Sequence, residues 1–136
     1  MARSVLADAG FLVALLSRRD ANHRWAADQA ARFPPPWKTC DAVLAEAFHL
    51  LGTRGAPGLA SLLRRGSLIS EFHLGEAAGN VLALMEKYAD LPMSFADACL
   101  VDMTETLGDP LLLTTDSDFR IYRRRDRRTV PCVTPR

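Results

Sequence analysis

Apolar residues fall into two kinds of segment along this chain. Short uninterrupted runs, such as Val5-Leu6-Ala7 and Leu111-Leu112-Leu113, read as strands buried on both faces. Longer segments carry apolar residues at spacings of three and four and read as helices with one buried face. A first strand is predicted over residues 4–7, then a short helix over 10–17 and a second over 21–33 with Asp20 as its cap. Pro34, Pro35 and Pro36 stop that helix. Residues 37–40 make a short second strand. Asp41 then caps a helix to about residue 51, with Leu44, Ala47, Phe48 and Leu51 on its apolar face.

The stretch GTRGAPG breaks the chain at residues 52–58, ahead of a helix over 59–65 and a strand near 68–72. Two further helices, 76–89 and 95–107, are parted by DLPMS. A strand over 111–114 follows. Residues 129–133 make a last, edge strand, because Pro131 has no N–H to give a ladder. Strands alternating with helices predict an α/β domain, a mostly parallel sheet with helices on both faces. No repeat or long linker divides the chain, so residues 1–136 are expected to form one domain.

Composition changes this picture little. Hydrophobic residues make up 49% and charged residues 24%, as in a globular protein, and the net charge of +1 means that any polyanion site must be a local patch. Cys40, Cys99 and Cys132 lie far apart with no CxxC pair, which points to free thiols in a reducing compartment. Asp8 interrupts the apolar start and the run Phe11–Leu16 is far too short to span a bilayer, so a cytoplasmic protein with no membrane association is expected.

The candidate chemistry is carboxylate chemistry. Ligands of open parallel sheets sit outside the carboxyl ends of the strands. Asp8 and Asp116 close two of the predicted strands there, although a lone acid after a strand is more often a turn or cap residue. Asp97 lies in the first turn of its helix, at the margin of a stripe made by Ala96, Leu100, Met103 and Leu107; the helix dipole alone favours an acid in that turn. Asp102 and Glu105 point to the far side. Glu46 lies off its helix's apolar stripe, as an ordinary surface glutamate would. Carboxylates converging at a strand edge suit a hard divalent cation, Mg²⁺ or Mn²⁺, and repel one another without it.

Beyond Asp116 comes RIYRRRDRR, in which Arg120, Arg123 and Arg124 are candidates for phosphate contacts and Tyr122 for stacking on a base; a solvated face is the alternative. Glu46 and His49 have the Glu-x-x-His spacing of di-iron bundles, but no second pair exists. There is no G-x-S-x-G, no G-x-x-x-x-G-K and no G-x-G-x-x-G, so serine hydrolase, phosphate-loop and dinucleotide readings find no support.

The ordered segments VLADAGFLVALL, AVLAEAFHLL, MSFADACLV and LLLTTDSDF resemble the PIN domain, and within it the VapC-like toxin ribonucleases of type II toxin–antitoxin systems. The resemblance implies a three-layer α/β/α sandwich and a Mg²⁺- or Mn²⁺-dependent endoribonuclease leaving 5′-phosphate ends. Asp8, Glu46, Asp97 and Asp116 carry over as the catalytic acids, with Asp8, Asp97 and Asp116 as metal ligands. Glu46 is open to a second metal or to the attacking water. Thr114 and Ser94 match supporting hydroxyl positions, and Asp118 either shares the role of Asp116 or caps a short helix over 119–122. The first motif departs from the usual pattern, reading Asp8-Ala9-Gly10 where a hydroxyl residue commonly follows the aspartate. An RNA substrate, an antitoxin protein and a homodimer are the implied partners. The alternatives are a catalytically silent module of the same fold and a nuclease that processes DNA or structured RNA without being a toxin.

Overall fold

The computed structural model describes residues 2–136. The chain runs β1 (Ser4–Ala7), α1 (Ala9–Leu16), α2 (His23–Arg32), β2 (Trp37–Thr39), α3 (Asp41–Arg64), β3 (Leu68–Ser70), α4 (Leu74–Lys87), α5 (Phe95–Thr106), β4 (Pro110–Leu113), a 3-10 turn at Ser117–Arg120 and β5 (Cys132–Val133). The five strands form one sheet in the order β3-β2-β1-β4-β5, and every pairing is parallel.

That order explains the layers. From β1 the chain steps to β2 and β3 on one side, then crosses back to β4 and β5 on the other. Right-handed crossovers in opposite directions place their helices on opposite faces. Thus α1 packs with α2 and α3 on one face, while α4 and α5 pair on the other. This is the expected α/β/α sandwich. The direction reverses between β1 and β4, whose register aligns Ala7 with Leu113 and so brings Asp8 and Thr114 side by side. Crevices at such reversals are where parallel sheets hold ligands.

All four residues of β1 are buried, as are Leu111, Leu112 and Leu113 of β4, which is why both read as unbroken apolar runs. Phe11 is wholly buried and meets Trp25 and Trp37 edge-on at 6.2 and 5.3 Å, fastening α1 to α2 and β2. No helix of the described residues is long and apolar enough to cross a membrane.

Several boundaries differ from expectation. Asp20 is not the cap of α2: the helix starts at His23, and Asp20 instead accepts the Asn22 N–H at 2.8 Å in a turn leading into it. Cys40, not Asp41, is the N-cap of α3, and Asp41 opens the helix with its carboxylate taking the Ser70 hydroxyl hydrogen. The expected break at residues 52–58 shrinks to one residue. Only Gly52 leaves helical geometry, at φ 64° and ψ −170°, and α3 resumes beyond it. That backbone conformation is essentially restricted to glycine. Gly52→Ala is therefore expected to destabilise the fold by about 1–3 kcal/mol, read as a lower urea midpoint, although nothing crowds a Cβ there. Asp102 and Glu105, expected on the far side of α5 from its buried stripe, do not reach open water either. Asp102 is buried and takes the Asn80 amide N–H at 2.8 Å, and Glu105 pairs with Arg125 at 2.7 Å, because α4 and the loop after the 3-10 turn cover that side.

Candidate active site

Asp8 leaves β1 at the reversal point. Its N–H still reaches the Leu113 carbonyl at 3.0 Å, which continues the strand pairing by one residue. Its carboxylate caps α1, with Oδ1 accepting the Ala9 N–H at 2.7 Å, while Oδ2 accepts the Thr114 hydroxyl at 2.6 Å. The side chain is only 6% exposed. Burial dominates its electrostatics and pushes the carboxyl up to about 7; the two hydrogen bonds oppose this, and the charges of Asp97 and Glu46 add to it.

The same Thr114 hydroxyl that donates to Asp8 accepts the Asp116 N–H at 3.0 Å, so one buried side chain joins the ends of β1 and β4. Asp116 then caps the 3-10 turn, its Oδ1 accepting the Asp118 N–H at 2.9 Å. Asp118 is thus the residue being capped and not the cap, a correction to one of the two roles expected of it. One residue beyond Ala9, where the first motif lacks its hydroxyl, a Cβ on Gly10 would overlap the Thr115 hydroxyl. Glycine at position 10 makes room for a hydroxyl brought from the end of β4.

Asp97 arrives from the other layer. Ser94 caps α5 and forms a capping box with it: the Asp97 N–H donates to Ser94 Oγ at 3.0 Å, and Asp97 Oδ2 accepts the Ser94 N–H at 3.3 Å. The Tyr122 hydroxyl donates to the same Oδ2 at 3.3 Å. Burial raises the Asp97 carboxyl, its hydrogen bonds with Ser94 and Tyr122 lower it, and the Asp116 charge raises it. Glu46, on an exposed turn of α3, is also raised, first by desolvation and then by Asp97 and Asp116. The four acids from β1, α3, α5 and the end of β4 therefore share one electrostatic environment. Among the described residues, the salt bridges join Arg3 to Asp109, Lys38 to Glu71, Arg125 to Glu105 and Arg128 to Asp126; none involves these four acids.

This donor set fits a hard divalent cation in its chemistry: oxygen-only ligands, one wholly enclosed carboxylate, and mutual repulsion that a cation would relieve. Its spacing is open. Among the described residues, no three His, Cys, Asp or Glu side chains already stand together as a cation cage.

The arginine run is divided in its tasks. Arg123 donates from Nη1 to the carbonyls of Arg120, Ile121 and Tyr122 at 2.8, 2.8 and 3.1 Å, so its guanidinium closes the turn behind the acids. Arg124 is half-buried, and Arg120 is exposed on the turn that Asp116 caps. Tyr122 is not available to stack on a base. It is wholly buried, edge-on to Phe119 at 5.3 Å and tilted against Tyr88 at 5.1 Å, with its hydroxyl aimed at Asp97. It is the site residue that sequence reasoning misassigned. Its place inside an arginine-rich stretch hid it, and Phe119, three residues earlier, was the only signal of a buried face.

An α/β/α fold with a five-stranded parallel sheet of this order, and acids gathered at the β1/β4 reversal, is PIN-like. Among solved structures, the chain is similar to the Mycobacterium tuberculosis VapC20 toxin, described as cleaving the sarcin–ricin loop. The TM-score is 0.76 at 24% identity, over 85% of this chain and 92% of that one. The likeness is one of fold. No family model matches the sequence, and no curated protein matches it.

Proposed function

We propose that this protein is a Mg²⁺- or Mn²⁺-dependent endoribonuclease, the toxin of a toxin–antitoxin pair working in the cytoplasm as a homodimer. The observation that carries this reading is Asp8: a buried carboxylate at the sheet's reversal point, raised to about 7, which feels the charges of Asp97 and Glu46 and, among the described residues, has no salt bridge to a basic side chain. The PIN-like fold shared with an RNA-cleaving toxin supports the substrate class.

Asp8, Asp97 and Asp116 hold the cation, and Glu46 orients the attacking water and takes its proton. A divalent cation held there would supply polarisation of that water and charge neutralisation at a phosphate oxygen. Water adds to phosphorus in line as the P–O3′ bond breaks, and the departing 3′-oxygen takes a proton from solvent, leaving a 3′-hydroxyl and a 5′-phosphate. Thr114 and Ser94 fix the orientations of Asp8 and Asp97, and Tyr122 donates to the same Asp97 oxygen as the Ser94 N–H, leaving the other oxygen free for the cation. Arg120 meets the RNA backbone with Arg124, while Arg123 shapes the turn that presents them.

The silent-module reading is favoured by one observation, the open spacing of the acids. Cleavage of a mixed RNA pool and of a sarcin–ricin-loop oligonucleotide, in Mn²⁺, Mg²⁺ and EDTA, separates the two. Metal-dependent cutting supports the nuclease. No cutting, together with no thermal stabilisation by Mn²⁺, supports the silent module, since an ion bound only by the folded state must stabilise it. Within the nuclease reading, Tyr122→Phe keeps the buried ring and removes only the hydroxyl that orients Asp97. Mn²⁺ affinity is expected to drop about tenfold, measured by titration calorimetry, with the melting temperature in EDTA little changed.

A further inference from the structure

The carboxyl edge of the sheet does not end at the acids. Because the strand order is β3-β2-β1-β4-β5, the end of β2 lies beside Asp8 and the end of β3 lies one strand further out. There a hollow of about 270 Å³ opens, lined by Cys40 and Asp41 after β2, Phe72 after β3, Leu74 of α4, and Phe95 and Cys99 of α5. Cys40 and Cys99 form its buried floor, while Leu74 and Phe95 are 43% and 40% exposed. Phe95 stands between Ser94 and Asp97 in sequence, in the same turn as the capping box, so one helix end serves both the acids and the hollow. Asp41 supplies the polar wall. Its Oδ1 takes the Ser70 hydroxyl hydrogen, which steadies the carboxylate.

We propose that this hollow is the subsite for one unpaired nucleobase flanking the scissile phosphate, stacked on Phe95 and read by Asp41, with guanine preferred. The inference rests on the ribonuclease reading above. The hollow takes a single ring system and not a helix, and sequence-specific RNA recognition works on such splayed bases, stacked on aromatic side chains and bonded along their Watson–Crick edges. An ionised carboxylate only accepts hydrogen bonds. Guanine offers it the adjacent N1–H and N2–H donors, whereas uracil offers one N–H between two carbonyl oxygens that repel it. Continuity with the acids along one sheet edge is what makes RNA the occupant.

The test compares the parent protein with Phe95→Ala, Phe95→Trp and Asp41→Asn. Cut ends from a randomised single-stranded RNA pool in Mn²⁺ are sequenced, and fluorescent uridine octamers with and without one guanosine are titrated against each protein. The parent is expected to enrich guanine at one position beside the cut and to bind the guanosine octamer more tightly. Phe95→Ala should weaken that binding about tenfold and Phe95→Trp should restore it. Asp41→Asn should flatten the base preference, and all four proteins should keep the same Mn²⁺ stabilisation. Metal-dependent cutting whose base preference ignores both residues overturns this inference and leaves the nuclease standing. A parent that neither cuts RNA nor distinguishes the octamers overturns both. If a second copy of the chain fills the hollow, Phe95→Ala changes the elution volume but not the base preference, and the inference again falls.

Discussion

RNA cleavage in Mn²⁺ by Asp97→Asn is expected to fall at least about a hundredfold, the scale on which removal of one preorganised charge-stabilising group acts. The protein should stay folded. An asparagine at position 97 keeps an amide oxygen for the Ser94 N–H, and its own backbone N–H still donates to Ser94 Oγ, so the start of α5 retains its cap. What disappears is charge. The ion loses an anionic ligand, and Asp8 and Glu46 lose a neighbour whose charge raises both of them. The measurement pairs initial cleavage rates with melting curves in EDTA. A large loss of rate at an unchanged melting temperature assigns the residue to the chemistry. A rate equal to the parent's would remove Asp97 from the site, and an equal loss in rate and stability would make it a helix cap and nothing more.

How legible this site was in the sequence depended on which force placed each residue. Asp8 and Asp116 follow unbroken apolar runs, and strand ends of a parallel sheet are visible from composition alone. Asp97 was visible as a first-turn acid at the margin of a buried stripe, and the capping box that ties it to Ser94 emerged only in the structure. Glu46 had no local signature. It faces the other acids because α3, from one layer, reaches α5, from the other, at the carboxyl end of the sheet, a tertiary fact with no periodic trace. The same limit applies to Tyr122 and Asp102, polar residues buried by partners that come from distant segments. At Gly52, the sequence showed glycines and a proline and suggested a loop, whereas one residue with positive φ suffices to redirect a helix. Propensity locates a break but does not set its length.

Without a divalent ion, the folded protein is expected to lose stability as the pH rises from 5 to 8, the reverse of the usual behaviour of a paired carboxylate. Asp8 has an ordinary value of 3.8 in the unfolded chain and about 7 in the folded one. Between those values the folded state holds a proton that the unfolded state has released, so each step upward in pH favours unfolding. The full cost of ionising the buried group is about 4 kcal/mol, and roughly 2–3 kcal/mol of it falls between pH 5 and 8. Glu46 and Asp97 are displaced in the same direction and add to the trend. Urea unfolding in EDTA at several pH values measures it. Asp8→Asn should flatten the curve and make the metal-free protein the more stable of the two at pH 8. Mn²⁺ should oppose the loss, by about 2.7 kcal/mol at a hundred times its dissociation constant, and should bind more tightly as the pH rises through 7, because the ion displaces the Asp8 proton. A metal-free stability that is level across this range, or an Asp8→Asn protein less stable than the parent at pH 8, would mean that the hydrogen bonds from Thr114 and Ala9 outweigh burial and that Asp8 is a structural cap, ionised without help.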